Sequence, residues 1–183
     1  MVINKYLTQH IPTLKGISDR EKCIVALCNL QRHEICVARF DQFYNENLSS
    51  DFRASLNVLV EFLCGADIDL QAVQKTALRG PDSDDYPHIE GSLAQNAFGA
   101  LYYLCKYMSS KNDMNFLQSL DKSFESIDVL KYDEGTQEEQ DNYFSEEGRV
   151  LESLINNTIR GPSATIENIK HLMLLAQLKS IGR

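Results

Sequence analysis

The chain has 183 residues, a length that suits one domain of roughly 100–200 residues and buries a core without help from disulfides or metals. With 43% hydrophobic and 24% charged residues, its composition is that of an ordinary globular domain, neither disordered nor fibrous. The formal charge of -8 repels nucleic-acid phosphates, which argues against direct DNA or RNA binding.

Helical periodicity runs along almost the whole chain, and strand alternation is missing. Ser18 and Glu21 form a capping-box pattern, followed at helical spacing by Ile24, Leu27, Cys28 and Leu30 and then by Ile35, Cys36, Ala38, Phe40 and Phe43. A break near His33 is left open. Residues 45–50 read as a polar loop in which Ser49 or Ser50 caps the next helix, whose apolar set is Phe52, Leu56, Leu59, Val60 and Leu63. Gly65 is placed to end that helix in the left-handed conformation.

A shorter helix is predicted over 67–78, and the prolines Pro81 and Pro87 then enforce a loop. Leu93, Ala97, Leu101, Leu104 and Met108 form the stripe of an apolar, central helix. Gly91 and Gly99 within it imply close packing of a neighbouring helix. Asp113 is placed to cap a helix bearing Leu117, Leu120, Phe124, Ile127 and Leu130. A polar, acidic connection over 132–140 precedes a helix with Tyr143, Phe144, Leu151, Leu154 and Ile155, and a last helix begins near 163–165 with Ile166, Ile169, Leu172, Met173 and Ala176. The expected fold is all-α, a single-domain bundle of seven to eight helices spanning 1–183.

Chemistry is not written in motifs. His10, His33, His88 and His171 lack zinc-ligand spacing, and the five cysteines, Cys23, Cys28, Cys36, Cys64 and Cys105, lack any CxxC pair and read as reduced core residues. Asp82, Asp84 and Asp85 begin like a calcium loop, but Pro87 and Leu93 stand where such a loop needs Gly and Glu. No phosphate loop or nucleophile elbow occurs. No metal, cofactor or catalytic residue is therefore assigned, and an enzyme assembled from His33, His88 and nearby acids is the least favoured reading. The first residues lack the pattern of a signal peptide, and no apolar run approaches the roughly 20 residues of a membrane span. A cytoplasmic protein with no membrane contact is expected.

The charge is unevenly spread. Residues 1–65 are neutral, residues 66–148 carry six basic against seventeen acidic side chains, and residues 149–183 carry five basic against two acidic. The acids concentrate at Asp82, Asp84, Asp85 and Glu90, and again at Asp133, Glu134, Glu138, Glu139 and Asp141, with Tyr86 and Tyr132 interleaved. Acids steer a basic partner and aromatic rings supply desolvated anchors, so these eleven residues are the expected partner-binding surface.

Four places in order resemble the YjaG-type family of bacterial all-α proteins: residues 24–30 (Ile24, Val25, Ala26, Leu27, Cys28, Asn29, Leu30) leading to Phe40, residues 52–59, Asp84, Asp85 and Tyr86 ahead of the 91–104 helix, and residues 140–154. The resemblance implies an all-α domain and carries over no catalytic residue. In size, charge and architecture the chain is also similar to immunity proteins of bacterial toxin systems, including contact-dependent growth inhibition. That similarity implies a non-enzymatic acidic module that binds a basic toxin domain, a nuclease above all, and occludes its active site. The competing expectation is a housekeeping helical protein of the YjaG type with no toxin partner, self-associating as a homodimer.

Overall fold

The computed structural model describes residues 3–131, 136–160 and 165–181. Among them are nine helices and no strand: α1 (Lys5–Thr8), α2 (Ile11–Lys15), α3 (Asp19–Tyr44), α4 (Leu48–Leu63), α5 (Leu70–Ala77), α6 (Ile89–Ser110), α7 (Asp113–Lys131), α8 (Gln137–Arg160) and α9 (Ile166–Gln177). The all-α bundle is as expected, but the count exceeds seven to eight. The additional elements, α1 and α2, are single turns too short to show a period.

α3 is the strut of the bundle. Its capping box is formed as expected, with Glu21 N–H donating to Ser18 Oγ and Ser18 N–H donating to Glu21 at 2.7 Å. It runs unbroken past His33 to Tyr44. Every residue from Lys22 to Leu30 is buried, because α4, α6, α7, α8 and α9 all pack around it. Such a helix shows no clean amphipathic stripe. Ile35 and Phe43, read as core positions, point outward instead.

α6 lies between α3 and α7. Tyr107, fully buried on α6, donates its hydroxyl to Asp19 at 2.9 Å, which sets the end of α6 beside the start of α3. Lys111 takes the left-handed conformation at φ 54, and the short turn sends α7 back along α6. There Ser119 Oγ donates to the Ala100 carbonyl at 2.9 Å. Phe52 of α4 meets Phe98 of α6 edge-on at 5.3 Å, and Tyr107 meets Phe116 of α7 at 5.4 Å.

Several local expectations are corrected. α4 is capped neither by Ser49 nor by Ser50. The Asp41 carboxylate, one turn before the end of α3, accepts from Leu48 N–H at 2.7 Å and Ser49 N–H at 2.8 Å. α5 starts at Leu70, three residues later than expected, because Asp69 caps it by accepting from Gln71 N–H. Asn112, not Asp113, caps α7; Asp113 pairs with Lys22 at 2.8 Å.

At Gly91 the closest approach is not by a neighbouring helix. A Cβ there would lie 2.0 Å from the Tyr86 carbonyl oxygen, so it is the preceding loop that folds down onto α6. At Gly99 the neighbour is the flexible Lys122 side chain of α7. Cys64 is half-buried and His171 is exposed, whereas the other four cysteines are buried. No helix among the described residues is long and apolar enough to cross a membrane.

Candidate functional site

The 82–90 loop is folded onto the end of α3 by aromatic rings. Tyr86 meets Phe40 edge-on at 4.9 Å and Tyr44 edge-on at 4.8 Å. Phe43 meets Tyr44 at 4.9 Å and His88 at 4.8 Å. Edge-to-face contacts of this kind each add about 0.5–1.5 kcal/mol beyond area burial. The Tyr86 hydroxyl donates to Glu46 at 3.2 Å, and His88 N–H donates to the Tyr44 hydroxyl at 3.1 Å. The Glu46 carboxylate, helped by desolvation, raises the Tyr86 phenol above its ordinary pKa.

This end of the bundle exposes Phe43, 52% accessible, with Ile89 beside the loop. Asp82, Asp84 and Asp85 of the loop are exposed as well. Asp82 Oδ1 accepts from Asp84 N–H at 3.1 Å and so shapes the turn. The carboxylates of Asp84 and Asp85 engage no cation or hydrogen-bond donor among the described residues. Glu90 is half-buried in the first turn of α6.

The second acidic group lies elsewhere. Glu138, Glu139 and Asp141 occupy the first turns of α8. Glu139 closes a capping box with Thr136, and Asp141 pairs with Lys5 of α1 at 3.2 Å. Helix α8 therefore begins inside the stretch read as a polar connection. Tyr132, Asp133 and Glu134 lie outside the described residues. No hydrogen bond, ion pair or ring contact among the described residues joins this group to the 82–90 loop.

Polar groups buried along α3 form a third feature, one that the sequence reading did not bring together. Arg32 and Glu147, 2% and 3% exposed, form a bidentate pair at 2.5 and 2.7 Å. Arg32 also donates to Asn29 at 2.9 Å and to the Lys179 carbonyl at 2.8 Å. Burial alone would raise the Glu147 carboxyl; the charge and hydrogen bonds of Arg32, with Ser123, hold it below its ordinary value. His33 is fully buried, with neither ring nitrogen hydrogen-bonded among the described residues. Burial first, and Arg32 second, lower its pKa to about 3.

Next to His33 in the chain, Glu34 accepts from Arg53 at 2.6 Å and from Gln177 at 3.3 Å, and also from Gln31. The sequence signal was the run Asn29, Gln31, Arg32, His33 and Glu34 inside an apolar helix. Among the described residues, no three His, Cys, Asp or Glu side chains converge so as to hold a metal ion. His33 in the interior and His88 in the surface ring cluster do not share a pocket.

Among solved structures, the chain is similar to a DUF416 family protein from Shewanella baltica OS155, with a TM-score of 0.78 and 16% identity over 91% of this chain and 92% of that one. The likeness is one of fold. No family model matches the sequence, and no curated protein does.

Proposed function

We propose that this chain is a non-enzymatic protein-binding module of the bacterial cytoplasm, an immunity protein whose partner is a basic toxin domain. Its contact surface is the end of α3 together with the 82–90 loop. The observation that supports this reading is the exposed Phe43 ring, packed against His88 of the same loop that carries exposed Asp84 and Asp85, carboxylates that nothing among the described residues neutralises. Acids already held by internal cations have little charge left to offer a partner, and Asp141 is such a case. An aromatic anchor beside an acidic loop suits a basic surface, because the acids steer the encounter and the ring supplies desolvated contact. A nuclease domain must display cations for phosphate, and an acidic face competes for them.

The test is capture from lysate of the source bacterium at low salt, with the wild-type chain and a D84K/D85K variant side by side. The expected result is a stoichiometric basic protein that binds the wild type, dissociates at high salt and is absent from the variant. No partner, or one held equally by the variant, overturns the reading.

A second reading has its own support. Leu174, 58% exposed, and Leu175 line the outer face of α9, which favours a YjaG-type housekeeping protein that pairs with itself through an apolar helix face. Sedimentation distinguishes the two. A dimer insensitive to salt and split by Leu174→Glu supports self-association, and a monomer at every concentration excludes it.

A further inference from the structure

Between α7, α8 and the segment that follows α9 lies a cleft of about 500 Å³, within the range of roughly 300–1,000 Å³ of small-molecule sites. Its apolar wall is made by Ile127 and Leu130 of α7, Val150 of α8 and the buried Ile181. The segment after α9 closes one side because Arg32 donates Nε–H to the Lys179 carbonyl, and Ile181 N–H reaches back to the Arg32 carbonyl at 3.4 Å.

Among the described residues that line this cleft, basic side chains outnumber acidic ones. Arg32, Lys131 and Lys179 line it against Glu146 and Glu147, in a protein whose formal charge is -8. Glu147 is already taken up by Arg32, and Glu146 is exposed to solvent. Lys179 Nζ donates to a neutral group, Ser153 Oγ, at 2.8 Å, which leaves its charge uncompensated there. Lys131 Nζ lies over the Tyr143 ring at 4.8 Å. At the floor, two of the guanidinium's nitrogens hold Glu147 while Asn29 and the Lys179 carbonyl take two further N–H bonds, so one N–H of Nη2 has no acceptor among the described residues.

We propose that this cleft binds a small organic anion, a carboxylate or phosphate head group carried on an apolar body. The head group meets Lys179 at the rim and the Arg32 guanidinium. The body lies on the wall of Ile127, Leu130 and Val150. Neither half alone suffices, since exposed cations hold a free anion weakly and the apolar wall selects nothing by charge. The site is separate from the 82–90 loop and does not depend on it.

The experiment is isothermal titration of the full chain with octanoate, octyl phosphate and inorganic phosphate. One of the two amphiphiles is expected to bind one to one, more tightly than inorganic phosphate, and the tighter of the two identifies the head group. The rim variant Lys179→Glu is expected to lose about tenfold or more in affinity, and Leu178→Asp, at an exposed position on the cleft wall, to lose affinity as well. D84K/D85K is expected to bind as the wild type does, which separates this site from the protein-binding surface. Binding by neither amphiphile, or affinity unchanged in Lys179→Glu, overturns the proposal. Equal affinity for inorganic and octyl phosphate overturns it too.

Discussion

Arg32 and Glu147, 115 positions apart, meet as a bidentate pair with almost no exposure and fasten α8 to the central helix. Removing one partner leaves an uncompensated buried charge, which costs about 3–5 kcal/mol. Arg32→Met and Glu147→Leu are each expected to lower the unfolding free energy measured in urea by that amount. The double variant is expected to recover most of the loss, since apolar replacement of a buried pair is often neutral or stabilising. Two single losses that simply add in the double variant would show that the charges are not coupled.

His33 carries the pH dependence of stability nearest neutrality. Its folded pKa, about 3, lies below the ordinary histidine value, so between those two limits the unfolded chain binds the extra proton. Stability from this group is complete above roughly pH 6.5 and falls as the pH drops, by up to about 1.4 kcal/mol per unit. Glu147, held low beside Arg32, acts in the same direction, its contribution present above the ordinary carboxylate range and lost below it. His33→Leu is expected to flatten the decline between pH 6.5 and 5 and to leave the steeper acid limb. It is also expected to match or exceed wild-type stability at pH 7, because it removes a buried polar ring without hydrogen bonds. Identical pH profiles for the two proteins would refute this assignment.

The two glycines of α6 are expected to respond oppositely to alanine. Gly99→Ala meets only the movable end of Lys122 and gains up to about 1 kcal/mol of helix propensity. Gly91→Ala drives a methyl group into the Tyr86 backbone, an overpacking of about 1–3 kcal/mol that outweighs the same propensity gain. Thermal melts of the two variants therefore shift in opposite directions. The Gly91 variant also displaces the 82–90 loop, seen as altered tyrosine signals.

Asp41→Ala tests the cap supplied across the α3–α4 turn. Two N–H groups at the start of α4 lose their acceptor, with an expected cost of about 1–2 kcal/mol. Asp41→Asn is expected to retain part of it, because one amide oxygen remains. Equal stability of wild type and Asp41→Ala would show that Ser49 or Ser50 takes over the role.

The long helices were legible because burial imposes a period on each, as at Leu93, Ala97, Leu101 and Leu104, all buried on α6. The outline of α3 was harder, since a helix covered on all sides loses its stripe, and its polar run from Asn29 to Glu34 resembled a break. Asp41 could not be read as the cap of α4, because it acts from seven residues away through a turn of fixed shape. The 82–90 loop was visible as charge and aromaticity, but the second half of its platform was not. Phe43 and Tyr44 come from α3, and only the fold brings them to Tyr86 and His88. Arg32 and Glu147 lay on separate helices with nothing in either segment to name the other. The grouping of Glu138, Glu139 and Asp141 with the 82–90 loop came from composition, whereas Glu139 contacts Thr136 and Asp141 contacts Lys5.

The buried cysteines give the bundle a built-in record of its own opening. Cys23, Cys28 and Cys36 are spaced along α3, with Cys105 on α6. Desolvation raises the Cys23 thiol to about 11 and the other three to about 12. A thiol reagent reacts with thiolate, so at neutral pH these sulfurs stay silent until the helix packing around them parts. Half-buried Cys64 reacts first and can be blocked under native conditions. Thereafter, the rate at which each remaining thiol is alkylated measures the free energy of the opening that bares it. The order among Cys23, Cys28 and Cys36 tells whether the strut frays from one end or is released only when the whole bundle comes apart.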